Sequence, residues 1–141
     1  MSRCIIAGSR TINEQKIVDE VMDDFHYYNP LRFIHVVISG GAGGVDRLGE
    51  VWARRNNCSI HQETALWNHH GRGAGVIRNG KMADMADICI VIMEDDSKGS
   101  KNMIEQAVAK GIFTRVYRVY RRMGRYSITC TDPETNVTRV L

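Results

Sequence analysis

The chain has no C-x-x-C pair, no Walker-type phosphate loop, no Gly-x-Ser-x-Gly elbow and no His-Glu-x-x-His pair. Disulfide and zinc frameworks, P-loop NTPases, α/β-hydrolases and zincin proteases are therefore not indicated. The four cysteines, Cys4, Cys58, Cys89 and Cys130, are widely scattered, and three sit in or beside apolar runs. They are expected to be reduced packing residues. The two prolines, Pro30 and Pro133, both fall in turn-like stretches. No run approaches the about eighteen apolar residues of a membrane span. Met1-Ser2-Arg3-Cys4 leads into a strand pattern rather than a signal peptide, so a cytoplasmic protein with no membrane partner is expected. The net charge of +3 is too small to imply a polyanionic partner by itself.

What is present fits one globular domain: 141 residues, 43% hydrophobic and 25% charged. A single domain over 1–141 is expected, with a core over 1–124 and a terminal β-hairpin over 125–141. Arg3 to Ala7 reads as a first strand running into Gly8-Ser9-Arg10. Thr11 or Asn13 then caps a helix with Ile17, Val18, Val21, Met22 and Phe25 on its inner face. Ile34 to Ile38 is a second strand, continuous in branched residues as in a sheet covered on both faces. Ser39-Gly40-Gly41-Ala42-Gly43-Gly44-Val45-Asp46 follows, then a helix to Arg55 with Leu48, Val51 and Trp52 inward.

Ser59 to Gln62 is a short third strand, and Glu63 to Gly75 a loop carrying Trp67, His69 and His70. A helix from Ala74 to Met85 is expected to turn Val76, Ile77, Met82 and Met85 inward. Asp87 to Met93 is the fourth strand. The polar loop Glu94 to Ser100, a helix from Lys101 to Lys110 and a fifth strand, Phe113 to Tyr120, complete the alternation. Tyr126, Ile128 and Cys130, the turn Asp132 to Asn136, and Val137 to Leu141 form the hairpin. Strand and helix alternate five times, which predicts an α/β, Rossmann-like doubly wound sheet of about five parallel strands with a C-terminal β-hairpin. In such sheets ligands bind beyond the carboxyl ends of the strands. All four glycine-rich or polar loops fall at predicted carboxyl ends.

Glycine turns expose backbone N–H groups, and a following helix directs its partial positive charge to the same place, an arrangement suited to phosphate. Gly40, Gly41, Ala42, Gly43 and Gly44 are the first candidates. Ser9, Ser100 and Thr11 are hydroxyl donors for a phosphate, and Arg10, Arg47, Arg78 and Lys98 are charge partners. Asp46 either caps its helix or accepts a ribose hydroxyl. Trp67 either stacks on a base or fills the core. His69 and His70 lack a third metal ligand at useful spacing, and Glu94-Asp95-Asp96 reads as a solvated acidic run, so no metal and no cofactor are expected. Arg115, Arg118, Arg121, Arg122 and Arg125, interleaved with Tyr117, Tyr120 and Tyr126, suit a nucleic-acid surface less well than a solvated strand end.

The chain resembles the SLOG superfamily, and within it the YspA-like group met in phage and bacterial genomes. The resemblance is carried by Ala7-Gly8-Ser9-Arg10, by Ser39 to Asp46, by Arg78-Asn79 with Met82 and Ala86-Asp87, and by Ser97-Lys98-Gly99-Ser100. It implies strand order 3-2-1-4-5 and a nucleotide or nucleotide-derived ligand between the first and fourth strands. Gly8, Ser9 and Arg10 would then face Lys98, Gly99 and Ser100, with Gly41 to Asp46 and Asn79 beside them. It implies a homo-oligomer, a dimer or larger. If the source is viral, analogy with the way phages use small nucleotide-binding folds makes a sponge that sequesters a host immune signal the expected role.

Related LOG phosphoribohydrolases cleave the N-glycosidic bond of nucleoside monophosphates, using the Arg of Arg-Lys-x-x-Met and the Glu of Pro-Gly-Gly-x-Gly-Thr-x-x-Glu. Arg78 and Met82 match the first segment. In the second, Met103 stands where the carboxylate belongs, and Glu105 lies roughly 200° further around a helix. An enzyme of this kind would have to use Arg78 with Glu105 or Asp46. Binding without cleavage is the expected function, with N-glycosidase activity as the alternative. A nucleic-acid binder, by distant likeness to the DNA-processing protein DprA, is the further alternative.

Overall fold

The computed structural model describes residues 2–141, apart from the side chains of residues 68 and 72; Met1 lies outside the described residues. The elements are β1 (Ser2–Gly8), α1 (Gln15–Tyr28), β2 (Ile34–Ser39), α2 (Val45–Arg55), β3 (Ser59–Gln62), α3 (Trp67–His70), α4 (Ala74–Met85), β4 (Ile88–Met93), α5 (Lys98–Ala109), β5 (Phe113–Arg122), β6 (Arg125–Asp132) and β7 (Val137–Val140). The strands form one sheet in the order β3-β2-β1-β4-β5-β6-β7. The first five are parallel, in the expected order; β6 adds antiparallel to β5, and β7 adds antiparallel to β6. The hairpin thus extends the sheet. A tight turn at Met123-Gly124, both residues at positive φ, reverses the chain from β5 to β6.

Alternation along the central strands divides the core in two. Cys4 and Ile6 of β1, with Ile88, Ile90 and Ile92 of β4, meet Ile17, Val21, Met22 and Phe25 of α1 and Trp52 of α2. On the other face Ile5, Cys89, Val91 and Met93 meet Met82 and Ala83 of α4 and Met103 and Ala107 of α5. All six residues of β4 are buried, which is why its sequence shows no polar alternation. The cysteines are free, and burial pushes the Cys89 thiol up to about 12.

Several local expectations are corrected. Neither Thr11 nor Asn13 caps α1: Thr11 Oγ1 donates to Glu94, Asn13 Nδ2 donates to the Thr11 carbonyl, and the cap position is Glu14. The loop 63–75 contains α3 and a 3₁₀ turn, Gly71–Gly73. Val76 and Ile77 are 51% and 41% exposed rather than inward, because α4 buries only Ala74, Asn79, Met82 and Ala83. Val51 is half-buried while Gly49 takes the inner position, its Cα side facing Ile6 too closely for any side chain. No helix among the described residues is long and apolar enough to cross a membrane.

Candidate functional site

Sheet order reverses between β1 and β4, and a crevice of about 500 Å³ opens beyond their carboxyl ends. All four loops singled out in the sequence contribute to it: Gly8 and Arg10; Gly40, Ala42 and Asp46; Trp67; and Lys98, Gly99 and Ser100. Arg78 and Asn79 of α4 complete one wall. Three cations, Arg10, Arg78 and Lys98, stand against two carboxylates, Asp46 and Asp95.

The glycine turn is fixed from below. Ser39 Oγ donates to Glu50 Oε2 at 2.6 Å and accepts from the Gly41 amide at 3.1 Å, while Gln62 Nε2 donates to the same Glu50 oxygen at 3.1 Å. Gly44 adopts φ +69° against the Ser9 carbonyl, where a Cβ would lie 2.3 Å from that oxygen. The Val45 amide donates to the Ser9 carbonyl at 3.1 Å, joining the first turn of α2 to the loop after β1.

Asp46 is 5% exposed and does not cap α2, whose cap position is Gly44. Its Oδ2 accepts the Ala42 amide at 3.1 Å. Burial raises its pKa above the ordinary carboxylate range, against the lowering effects of the Ala42 hydrogen bond and of Arg78 and Arg10. Arg78 donates from Nη1 to the Gly40 carbonyl at 3.0 Å and from Nε to Asn79 Oδ1 at 3.1 Å. No ion pair joins it to Asp46 among the described residues. A buried carboxylate and a guanidinium thus share the crevice without an ion pair among the described residues, one able to accept and the other to donate.

Asn79 is buried with its polar atoms already engaged. Its Nδ2 donates to the Gly99 carbonyl at 3.2 Å and to Asn102 Oδ1 at 3.1 Å, so it ties α4 to the start of α5. Ser97 caps α5 by accepting the Ser100 amide, which leaves Lys98 and Gly99 exposed in the first turn at the crevice edge. Trp67 does not fill the core; it is 51% exposed at the crevice mouth.

Other candidates lie outside the crevice lining. Ser9 is buried, its Oγ donating to Asp95 Oδ1 and accepting the Glu94 amide, both at 3.0 Å, so it is no longer a free donor. Gly41, Gly43, Gly44 and Arg47 line no part of it. Glu105 is exposed on the far side of α5, as the helical pitch requires, while Met103 is buried at the crevice wall. His69 and His70 are exposed, and no metal-competent cluster occurs among the described residues. In the acidic run Asp95 and Asp96 are exposed, as expected of a solvated loop, but each acid also has a partner: Glu94 meets Thr11 and Arg121, Asp95 meets Ser9, and Asp96 meets Lys101. In the basic stretch, Arg115 pairs with Asp132, Arg121 pairs with Glu14 and Glu94, and Tyr117 is buried against Asp24.

Val76, Met82 and Met103, unassigned from sequence as crevice residues, give it an apolar wall. Met82 was legible as a helix-face residue and as part of the segment shared with the family, and Met103 as a missing carboxylate. Val76 is cued by nothing local.

Fold and crevice together define a Rossmann-like α/β protein with a crevice lined by charged residues of both signs at its topological switch point. Residues 2–70 match the YspA, cpYpsA-related SLOG family. The chain is 32% identical over 118 residues to the Gene 61 protein of Mycobacterium phage D29, an alignment covering 79% of this chain and 93% of that protein. The chain belongs to the YspA-related SLOG family, and membership suggests nucleotide-related binding. The family match covers the loops after β1 and β2, while Arg78, Asn79 and Lys98 to Ser100 lie beyond it.

Proposed function

We propose that the protein binds a nucleotide or nucleotide-derived signalling molecule in the crevice and holds it without cleaving it. The observation that carries this reading is that Asp46 and Arg78, which form no ion pair among the described residues, line one crevice with the exposed first turn of α5. A phosphate fits the Lys98 and Gly99 amides, the Lys98 ammonium and Arg10. Asp46 accepts a ribose hydroxyl, and the apolar wall of Trp67, Val76 and Met103 takes a base.

Cleavage of an N-glycosidic bond needs a group that stabilises an oxocarbenium-like centre or activates water. The thioether of Met103 does neither, and Glu105 faces away. Incubation with AMP, GMP, CMP and UMP is expected to release no free base. Release of base that Arg78→Ala abolishes would establish the phosphoribohydrolase alternative instead. Retention of single-stranded DNA is expected to be weak, since the arginine stretch is partly spent on internal acids.

Leu66, just before α3, and Ile77 of α4 line no part of the crevice and leave an apolar strip 46% and 41% exposed beside its mouth. We assign this strip to pairing with a second copy of the chain. Ile77→Asp is expected to convert a dimer to a monomer by light scattering; an unchanged mass would remove the assignment. A phage-encoded relative makes a sponge that removes a host signal the biological role we favour. A cell carrying the signalling pathway should lose free signal when the protein is expressed, and should keep it with the Asp46→Asn variant.

A further inference from the structure

The hairpin built from β5 and β6 stands outside the region matched to the family and lines no part of the crevice, yet it contacts the loops that do. In register, Met93 at the end of β4 pairs with Arg118, so Val119 to Arg122 run on past the carboxyl edge of the sheet by about 13 Å at the usual strand rise. Arg121 sits on that extension and meets two acids from two different loops. Its Nη1 and Nη2 form a fork on Glu14, at 2.5 and 2.9 Å, and its Nε donates to Glu94 Oε2 at 2.6 Å.

The contacts continue inward. The other oxygen of Glu94 accepts Thr11 Oγ1 at 2.5 Å, and the Glu94 amide donates to Ser9 Oγ, which donates to Asp95. The Ser9 carbonyl receives the Val45 amide at the start of α2. One guanidinium therefore ties the loop after β4 to the loop after β1, and through Ser9 both are tied to the glycine turn. Arg10, Thr11 and Asp95 on these loops line the crevice.

We propose that Arg121 is a positioning residue for the crevice, clamping Glu14 to Glu94 so that Arg10, Thr11 and Asp95 are held in place for the ligand. The side chains of Arg121 and Glu14 are 41% and 39% exposed, so the pairs contribute little to global stability. Their effect is geometric. A planar fork with three engaged nitrogens can span two carboxylates at once, whereas a lysine ammonium can meet only one well. The consequence for ligand affinity rests on the nucleotide reading above; the clamping of the loops does not.

Hydrogen–deuterium exchange on the full chain separates the two. In Arg121→Met, amides in 9–14 and 93–97 are expected to exchange several-fold faster, with those in 128–141 unchanged and the melting temperature nearly so. Glu14→Gln is expected to loosen the same two segments, and Arg121→Lys to restore them in part. Affinity for AMP or ADP is expected to fall several-fold in parallel. Faster exchange confined to 119–127, with 9–14 and 93–97 unaltered, would overturn the proposal. Loosened loops in a protein whose wild type binds neither AMP nor ADP would leave the clamp standing and count against those ligands. Unaltered loops with intact AMP binding would do the reverse.

Discussion

Gly8→Ala is expected to cost the protein about 3 kcal/mol or more, enough to lower the melting temperature of a chain this size by roughly 10 °C. Gly8 ends β1 opposite Ile92 of β4, and a Cβ built there would lie 1.7 Å from the Ile92 carbonyl oxygen. The obstacle is backbone, so no rotamer change relieves it. The strands must separate at the floor of the crevice, where the Ser9 amide donates to that same oxygen at 3.0 Å. Gly43→Ala provides the contrast. Nothing lies within 4 Å of its added methyl group, and its stability should change by no more than about 0.5 kcal/mol. Thermal or urea denaturation of the two variants side by side measures the difference. Equal stabilities would mean that β1 and β4 do not approach as described.

Asp46→Asn is expected to separate stability from function. The folded-state pKa of Asp46 is raised, chiefly by burial. The ionised carboxylate therefore costs stability at pH values above that pKa, and the cost is relieved as pH falls through it. Asparagine is neutral at every pH and can still accept the Ala42 amide through its carbonyl oxygen. The variant should melt higher than the wild type at pH 7, by roughly 3 °C for each kcal/mol relieved, and the gap should close on acidification. Ligand binding should move the other way. A hydrogen bond to a charged group contributes about 1.5–3 kcal/mol, so affinity for a ribose-bearing ligand should fall about 10- to 100-fold. Higher melting with unchanged affinity would remove Asp46 from the binding site.

The fold was readable because its strongest signals are local. The continuous apolar run of β4 and the three- and four-residue spacing in α1 both report burial on defined faces. Strand order is a different matter, since periodicity says which residues are buried and not which strands are neighbours; the order came with the family resemblance. The four loops were found because glycine and small polar residues at strand ends mark turns whatever the tertiary context.

Residue-level roles were less legible. Val76 and Ile77 look inward in sequence because they are apolar, yet α4 is short of partners on that face. Ser9 in the loop after β1 and Asn79 on α4 read from sequence as ligand contacts, and nothing local announces the long-range hydrogen bonds to Asp95 and Gly99 that also engage them. The Arg121 clamp joins residues 107 and 27 positions apart, and no local pattern announces such a pairing.

The central claim is that the crevice holds a nucleotide-derived molecule. It is tested most directly by mass spectrometry of the small molecules released when purified wild-type protein and the Asp46→Asn variant are denatured, after both have been incubated with an extract of nucleotide-containing metabolites and desalted. A phosphate- and ribose-bearing compound retained by the wild type and lost from the variant is the expected result. The same nucleotide content in both proteins, or none in either, would contradict it.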